Sequence, residues 1–120
     1  MSDNDEVFRL TRRLHMDARE ALQPLRWRPA ADIYRTREGW LVKVELAGVN
    51  ADEIQIVARN GYLLIRGRRR DTEFLEGCEF HSMEIVYSQF ERAFELPVNL
   101  DGARLATDYR NGMLLVRILI

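Results

Sequence analysis

The sequence predicts an all-β protein, an antiparallel β-sandwich or barrel preceded by a short helical segment. Three observations carry this. From Trp27 onward, apolar and polar residues alternate with a period of two over seven to eight short stretches. Turn-forming residues separate the stretches, and Asn60-Gly61 and Asn111-Gly112 are strong hairpin dipeptides. No helix-length segment follows Trp27, and many short strands divided by turns make a sandwich or barrel.

Taken in order, the chain opens with a different period. Val7, Leu10, Leu14, Ala18, Ala21 and Leu25 recur at spacings of three and four, with charged residues on the other faces. Asp3 or Asp5 can cap this helix, and Pro24 stops it. The stripe is thin, so the helix either packs on a partner or frays. Residues 1–27 therefore form an N-terminal amphipathic segment, and 28–120 form the sandwich. Arg28–Ala31, with Pro29, is a connector, and Ile33–Arg35 is a short strand ended by the turn at Arg37-Glu38-Gly39. Trp40, Val42, Val44 and Leu46 share one strand face; Ala47–Asn50 ends that strand. Ile54–Ala58 and Tyr62–Arg68 flank Asn60-Gly61 as a hairpin. Arg68–Glu79 is polar and too long for a tight turn, yet it contains Phe74 and Leu75. Arg104–Tyr109 and Met113–Ile120 flank the second hairpin turn.

Between them lies Phe80–Pro97. Met83, Ile85 and Tyr87 share one phase, whereas Phe90, Phe94 and Leu96 share the other. The expectation is a strand that changes face near Ser88-Gln89 and ends at Pro97. Arg92 falls in phase with the apolar set. It either pairs with a carboxylate or lays its stem on the core with its head toward water.

Composition limits the functions available. The net charge of −1 gives no overall field to recruit nucleic acid or an anionic membrane. Arg66, Arg68, Arg69 and Arg70 form a basic cluster, but Asp71, Glu73, Glu76 and Glu79 follow at once, so the expectation is a solvated loop or salt bridges. A single cysteine, Cys78, excludes an internal disulfide and favours a reducing, cytoplasmic setting. Neither a signal peptide nor a membrane span is visible. His15, His81 and Cys78 are too dispersed for a zinc site. Ser82 and His81 are strand neighbours that point to opposite faces. With no glycine-rich phosphate loop either, the chain reads as a non-enzyme without cofactor, metal or nucleotide.

Four motifs in fixed order then carry a resemblance. They are Val44-Glu45-Leu46-Ala47-Gly48-Val49, Phe80-His81-Ser82-Met83-Glu84, Phe90-Glu91-Arg92-Ala93-Phe94-Glu95-Leu96-Pro97, and Asn111-Gly112-Met113-Leu114. Across Pro29–Ile118 the chain resembles the small heat-shock proteins, the Hsp20 or α-crystallin domain, in their bacterial and plant branch. It departs from the family pattern at Ala47, Ile85, Ser88 and Thr107. The resemblance implies an immunoglobulin-like sandwich and an ATP-independent holdase that keeps partly unfolded clients from aggregating. It also implies a homodimer formed by strand exchange, with Phe74, Leu75, Phe80, His81, Glu84 and Arg92 at the interface. Client or oligomer contact falls to Val7, Phe8, Leu10, Leu14, Met16, Leu22, Leu25 and Trp27; the alternative is that this helix packs only on its own dimer partner. A groove is expected between Ile54, Ile56 and Ala58 on one side and Leu105, Thr107 and Tyr109 on the other. An adaptor of the related CS/p23 co-chaperone type is the second reading, and a carbohydrate-binding sandwich the third.

Family members dock an I-x-I tail motif into such a groove. Ile118-Leu119-Ile120 matches it literally, but Ile118 continues the phase of Leu114 and Val116 and is expected in the core. With no flexible linker before it, this triplet is not a docking tail. The expected assembly is a dimer or a small assembly of dimers.

Overall fold

The computed structural model describes residues 27–73 and 75–120. Seven strands form: β1 (Ala31–Thr36), β2 (Gly39–Glu45), β3 (Ile54–Arg59), β4 (Tyr62–Arg68), β5 (Gln89–Glu95), β6 (Arg104–Arg110) and β7 (Met113–Leu119). They make two antiparallel sheets, one ordered β1-β2-β7-β6 and the other β3-β4-β5. Val42, Val44, Leu114, Val116 and Ile118 of the first sheet and Leu63, Ile65, Phe90 and Phe94 of the second are buried in one cluster. The fold is therefore the predicted sandwich, its core supplied by alternate residues of facing strands.

Turn chemistry sets the registers. Asn111 and Gly112 both have positive φ, 52° and 75°, the geometry of a two-residue hairpin whose twist matches its strands. At the other Asn-Gly pair only Asn60 is left-handed, at φ 54°. The chain crosses from β2 to β3 through a short 3-10 helix, Ala51–Glu53, which the period-two reading did not anticipate. Asn50 caps it by accepting from the Asp52 N–H at 2.9 Å. β1 begins at Ala31, inside the stretch read as a connector, because Ala31 pairs with Val44.

Two expectations about chain direction fare differently. Ile118 is fully buried, paired with Trp40 and Leu105, so it is core as its phase requires. The strand expected over Phe80–Tyr87 does not form; β5 starts at Gln89. Met83 and Tyr87 are half-buried and Ile85 is exposed. The reason is pairing. The β4–β5 register ends at Arg68 opposite Gln89, and among the described residues no strand pairing continues it.

The strands β3 and β6 are sheet edges, and a tyrosine ties β6 to the connection that leads into β3. The Tyr109 hydroxyl lies 2.7 Å from the carbonyls of both Leu46 and Val49, sharing one proton between them. Burial holds this phenol above its ordinary pKa, and the bond to Val49 offsets part of the rise. The unfolded chain ionises near pH 10, so this contribution to stability is complete below that pH and is lost as pH rises toward the folded value. Tyr109→Phe is expected to cost about 1 kcal/mol at neutral pH. It should also lose less stability than the parent between pH ~9 and ~11. Denaturant melts across that range check both.

Candidate functional site

Four edge strands and one long connection are the places where this sandwich can meet another chain. The connection spans residues 69–88, between the neighbouring antiparallel strands β4 and β5. Its apex is a turn at Glu76–Gly77, where Gly77 takes φ 85°. Cys78 closes that turn; its N–H and its thiol both bond to the Leu75 carbonyl, at 3.3 and 2.8 Å. Leu75 itself is 72 % exposed, the most exposed large apolar side chain of the described residues. Such a side chain at a loop tip has gained nothing from folding within one chain.

At its root the connection is fastened firmly. The Arg69 N–H bonds to the Ser88 carbonyl at 3.0 Å, one step beyond the last β4–β5 pair. The Arg69 side chain donates from Nε and Nη2 to the Val86 carbonyl, at 2.9 and 2.7 Å, and from Nη1 to the Ala47 carbonyl at 3.1 Å. Its guanidinium lies over the Trp27 ring, 3.7 Å from the centroid, and 5.6 Å from that of Tyr87. Burial lowers the Arg69 pKa, and Tyr87 partly offsets it. The Trp27 ring in turn meets Phe90 edge-on, with centroids 5.3 Å apart, and the Trp27 backbone N–H donates to Ser88 Oγ at 3.0 Å. Ser88 is buried, and its hydroxyl also reaches the Gln89 carbonyl. Phe90 has room because Gly67 lies beneath it; a Cβ there would stand 2.2 Å from the Glu53 carbonyl oxygen and 2.9 Å from the Phe90 ring.

The basic cluster thus separates by role. Arg66 donates to Gln55 at 2.8 Å, and Arg70 pairs with Glu53 at 2.9 Å; both are surface contacts. Arg69 is the exception that a reading of the cluster as a solvated loop missed. Its sequence position, one residue past an apolar strand and in phase with the buried Leu63 and Ile65, aims it inward but gave no sign of Trp27 above it.

Arg92 sits between buried Phe90 and Phe94 and is half-buried. Among the described residues its partner is the Pro29 carbonyl, reached by Nη1 at 2.6 Å, with the guanidinium 4.9 Å from the Phe94 centroid. Burial lowers its pKa, and the Arg28 charge lowers it further. Of the readings open for Arg92, a carboxylate partner or a head turned to water, the described residues show neither; they show a carbonyl acceptor. This bond joins the approach to β1 with β5, so these two edge strands share a side of the sandwich.

The remaining candidate residues are dispersed. Phe80 is half-buried, and His81 and Glu84 are exposed, all on the connection. Phe74 and the segment holding Val7, Phe8, Leu10, Leu14, Met16, Leu22 and Leu25 lie outside the described residues. On the opposite side, Ile54, Ile56, Ala58, Leu105 and Tyr109 are half-buried against the core, while Thr107 is exposed midway. Tyr109 and the Asp101 carboxylate, which accepts from the Asn60 N–H at 3.0 Å, join the two edges at opposite ends. Among the described residues, no group of His, Cys, Asp and Glu could hold a metal ion, and no helix is long and apolar enough to cross a membrane.

Comparison with known proteins gives a consistent result. The model of the Hsp20/alpha crystallin family matches residues 32–119. The 22.0 kDa heat shock protein of Arabidopsis thaliana is 33 % identical over 106 residues, covering 88 % of this chain and 52 % of its own length. Small heat shock protein C2 of Rickettsia felis is 31 % identical over 90 residues, covering 75 % and 58 %. The chain thus spans little more than half the length of these curated relatives. Among solved structures, hspA from Xanthomonas axonopodis aligns with a TM-score of 0.64 at 31 % identity, over 79 % of this chain and 95 % of that one. Heat shock protein 16.0 from Schizosaccharomyces pombe aligns with a TM-score of 0.70 over 78 % and 86 %; at 24 % identity that likeness speaks to the fold.

Arg92→Ala removes a charged hydrogen bond to a carbonyl and is expected to cost about 1.5–3 kcal/mol in chemical denaturation. A loss of roughly 3–5 kcal/mol would instead indicate a buried carboxylate partner, supplied by another subunit.

Proposed function

The chain belongs to the Hsp20/alpha crystallin family, whose members act as chaperones, and on that premise we propose that it is an ATP-independent holdase. It binds partly unfolded proteins in a cytoplasmic setting and keeps them from aggregating. The family match over 88 of its residues, 32–119, carries this reading. The geometry supports it, because apolar surface is left open at the places where chains can join. Ile33 and Tyr34 are exposed on the edge strand β1, and Leu75 is exposed at the apex of the 69–88 connection. An edge strand with unpaired backbone groups accepts another strand readily.

In this reading two copies exchange the 69–88 connection. The Phe74–Leu75 stretch adds to the partner's sheet, bringing Phe80, His81, Glu84 and Arg92 toward the interface. Residues 1–27 supply adaptable apolar contact for clients or for other dimers, and 28–120 form the scaffold. The side between β3 and β6, with Ile54, Ile56, Ala58, Leu105 and Thr107, is a second place for an apolar peptide. No nucleic acid, membrane, nucleotide or cofactor takes part.

The test is light scattering of a heat-denatured client with no nucleotide and no other chaperone present. The full chain should suppress aggregation, and a chain beginning at Trp27 should remain folded but protect much less. Full protection by the shortened chain would move client contact onto the sandwich. Deleting Thr72–Gly77 should convert dimers to monomers in sedimentation; an unchanged dimer mass would exclude exchange through this connection. Size exclusion with light scattering should find a dimer or a small assembly of dimers, whereas a stable mass of about a dozen subunits or more would overturn that expectation.

A further inference from the structure

We infer that Arg69 is a positioning residue that clasps the exit of the N-terminal segment to the root of the 69–88 connection, so that the two open together. The inference rests on the functional reading above only in what the two regions are for; the clasp itself rests on contacts.

Three stretches far apart in sequence meet at this side chain. Its fork edge faces Val86 and Ala47, and its flat face covers Trp27. A guanidinium can use edge and face at once because its donors lie in the plane of the group. Lysine offers a point charge and cannot do both. The described residues give Arg69 carbonyl and aromatic neighbours and no carboxylate, so its hydrogen bonds require Val86 and Ala47 to stay where they are.

Trp27 is held from both sides. Arg69 covers its face, Phe90 meets its ring, and Ser88 Oγ takes its N–H. Ser88 in turn is held through its carbonyl by the Arg69 N–H. If Trp27 leaves, the Ser88 hydroxyl and the cation both lose a partner, and Phe90 is uncovered. If the root of the connection leaves, Trp27 loses its N–H acceptor and one covered face. Each opening therefore makes the other easier, which is reciprocal coupling through shared contacts.

Hydrogen exchange of the full chain, read by mass spectrometry, tests the coupling. In Trp27→Ala, amides around Arg69 and in 84–90 should exchange faster by roughly tenfold, the scale of losing one partly desolvated cation–π contact. Arg69→Met should speed exchange in 27–32 and in 84–90 by a similar factor. The double variant should add little to the larger single effect, since both remove one shared unit. Exchange in β7, at 113–119, should stay at the parent rate, which shows that the core is intact. Should Arg69→Met fail to fold, Arg69→Lys replaces it and should still open 27–32; a lysine variant indistinguishable from the parent would overturn the role of the fork. Exchange around Arg69 and in 84–90 unchanged by Trp27→Ala would overturn the clasp. None of these readouts involves clients or subunit exchange. Coupled opening in a chain that gives clients no protection would therefore support the clasp while counting against the functional reading.

Discussion

A sandwich made of two open sheets has four edge strands, and the backbone groups along each must find water or a partner. Here β1 and β5 lie on one side and β6 and β3 on the other. Closing these sides is the constraint to which most of the polar chemistry responds. On one side Arg92 bonds the Pro29 carbonyl, and Trp27 covers Phe90. On the other Tyr109 and Asp101 fasten the two ends. Arg92 and Tyr109 each reach from an edge strand to a carbonyl in a segment that leads to or from another strand. Carbonyl oxygens are the acceptors for Arg69, Arg92 and Tyr109 alike. A carbonyl cannot be titrated away, so these fastenings do not depend on the charge state of an acidic partner.

Much of this was legible in the sequence because it depends on local rules. Alternation in Trp40–Leu46 and Leu114–Ile118 placed two central strands with the correct faces inward, and Asn111-Gly112 fixed a hairpin whose φ values demand those residues. The buried phase even distinguished Ile118 from a docking motif of the same letters. The failures share a cause. Met83, Ile85 and Tyr87 alternate as well as any strand, but alternation describes which way side chains point and not whether a neighbour exists. The β4–β5 register ends at Arg68 opposite Gln89, so they do not extend β5. The interface residues on the connection are untested by a single copy for the same reason.

Arg69 and Trp27 show the other limit. Phase sets Arg69 apart from Arg68 and Arg70, since it alone continues the inward step of Leu63 and Ile65, but its role is set by residues 42 positions earlier and 17 later. The tryptophan belonged to the apolar set assigned to client contact, yet in the fold it is half-buried under a cation. Ser88, one of the departures from the family pattern, is similarly explained only by the fold. Its hydroxyl accepts from the Trp27 backbone N–H. That departure is thereby tied to the chain's own N-terminal exit.

The order of strands has a consequence in time. β2 and β7 are neighbours at the centre of the larger sheet, with Val42 opposite Val116 and Val44 opposite Leu114. Once β1 and β2 have left the ribosome, the whole β3–β6 stretch must be translated before β7 arrives, which at ordinary rates takes roughly 4–14 s. Loop closure over such a span is also slow compared with local hairpins. During that interval the inner edge of β2 is bare and its valines lie open. A growing copy of this protein therefore spends seconds with an open apolar edge, the condition in which a nascent chain is prone to aggregate.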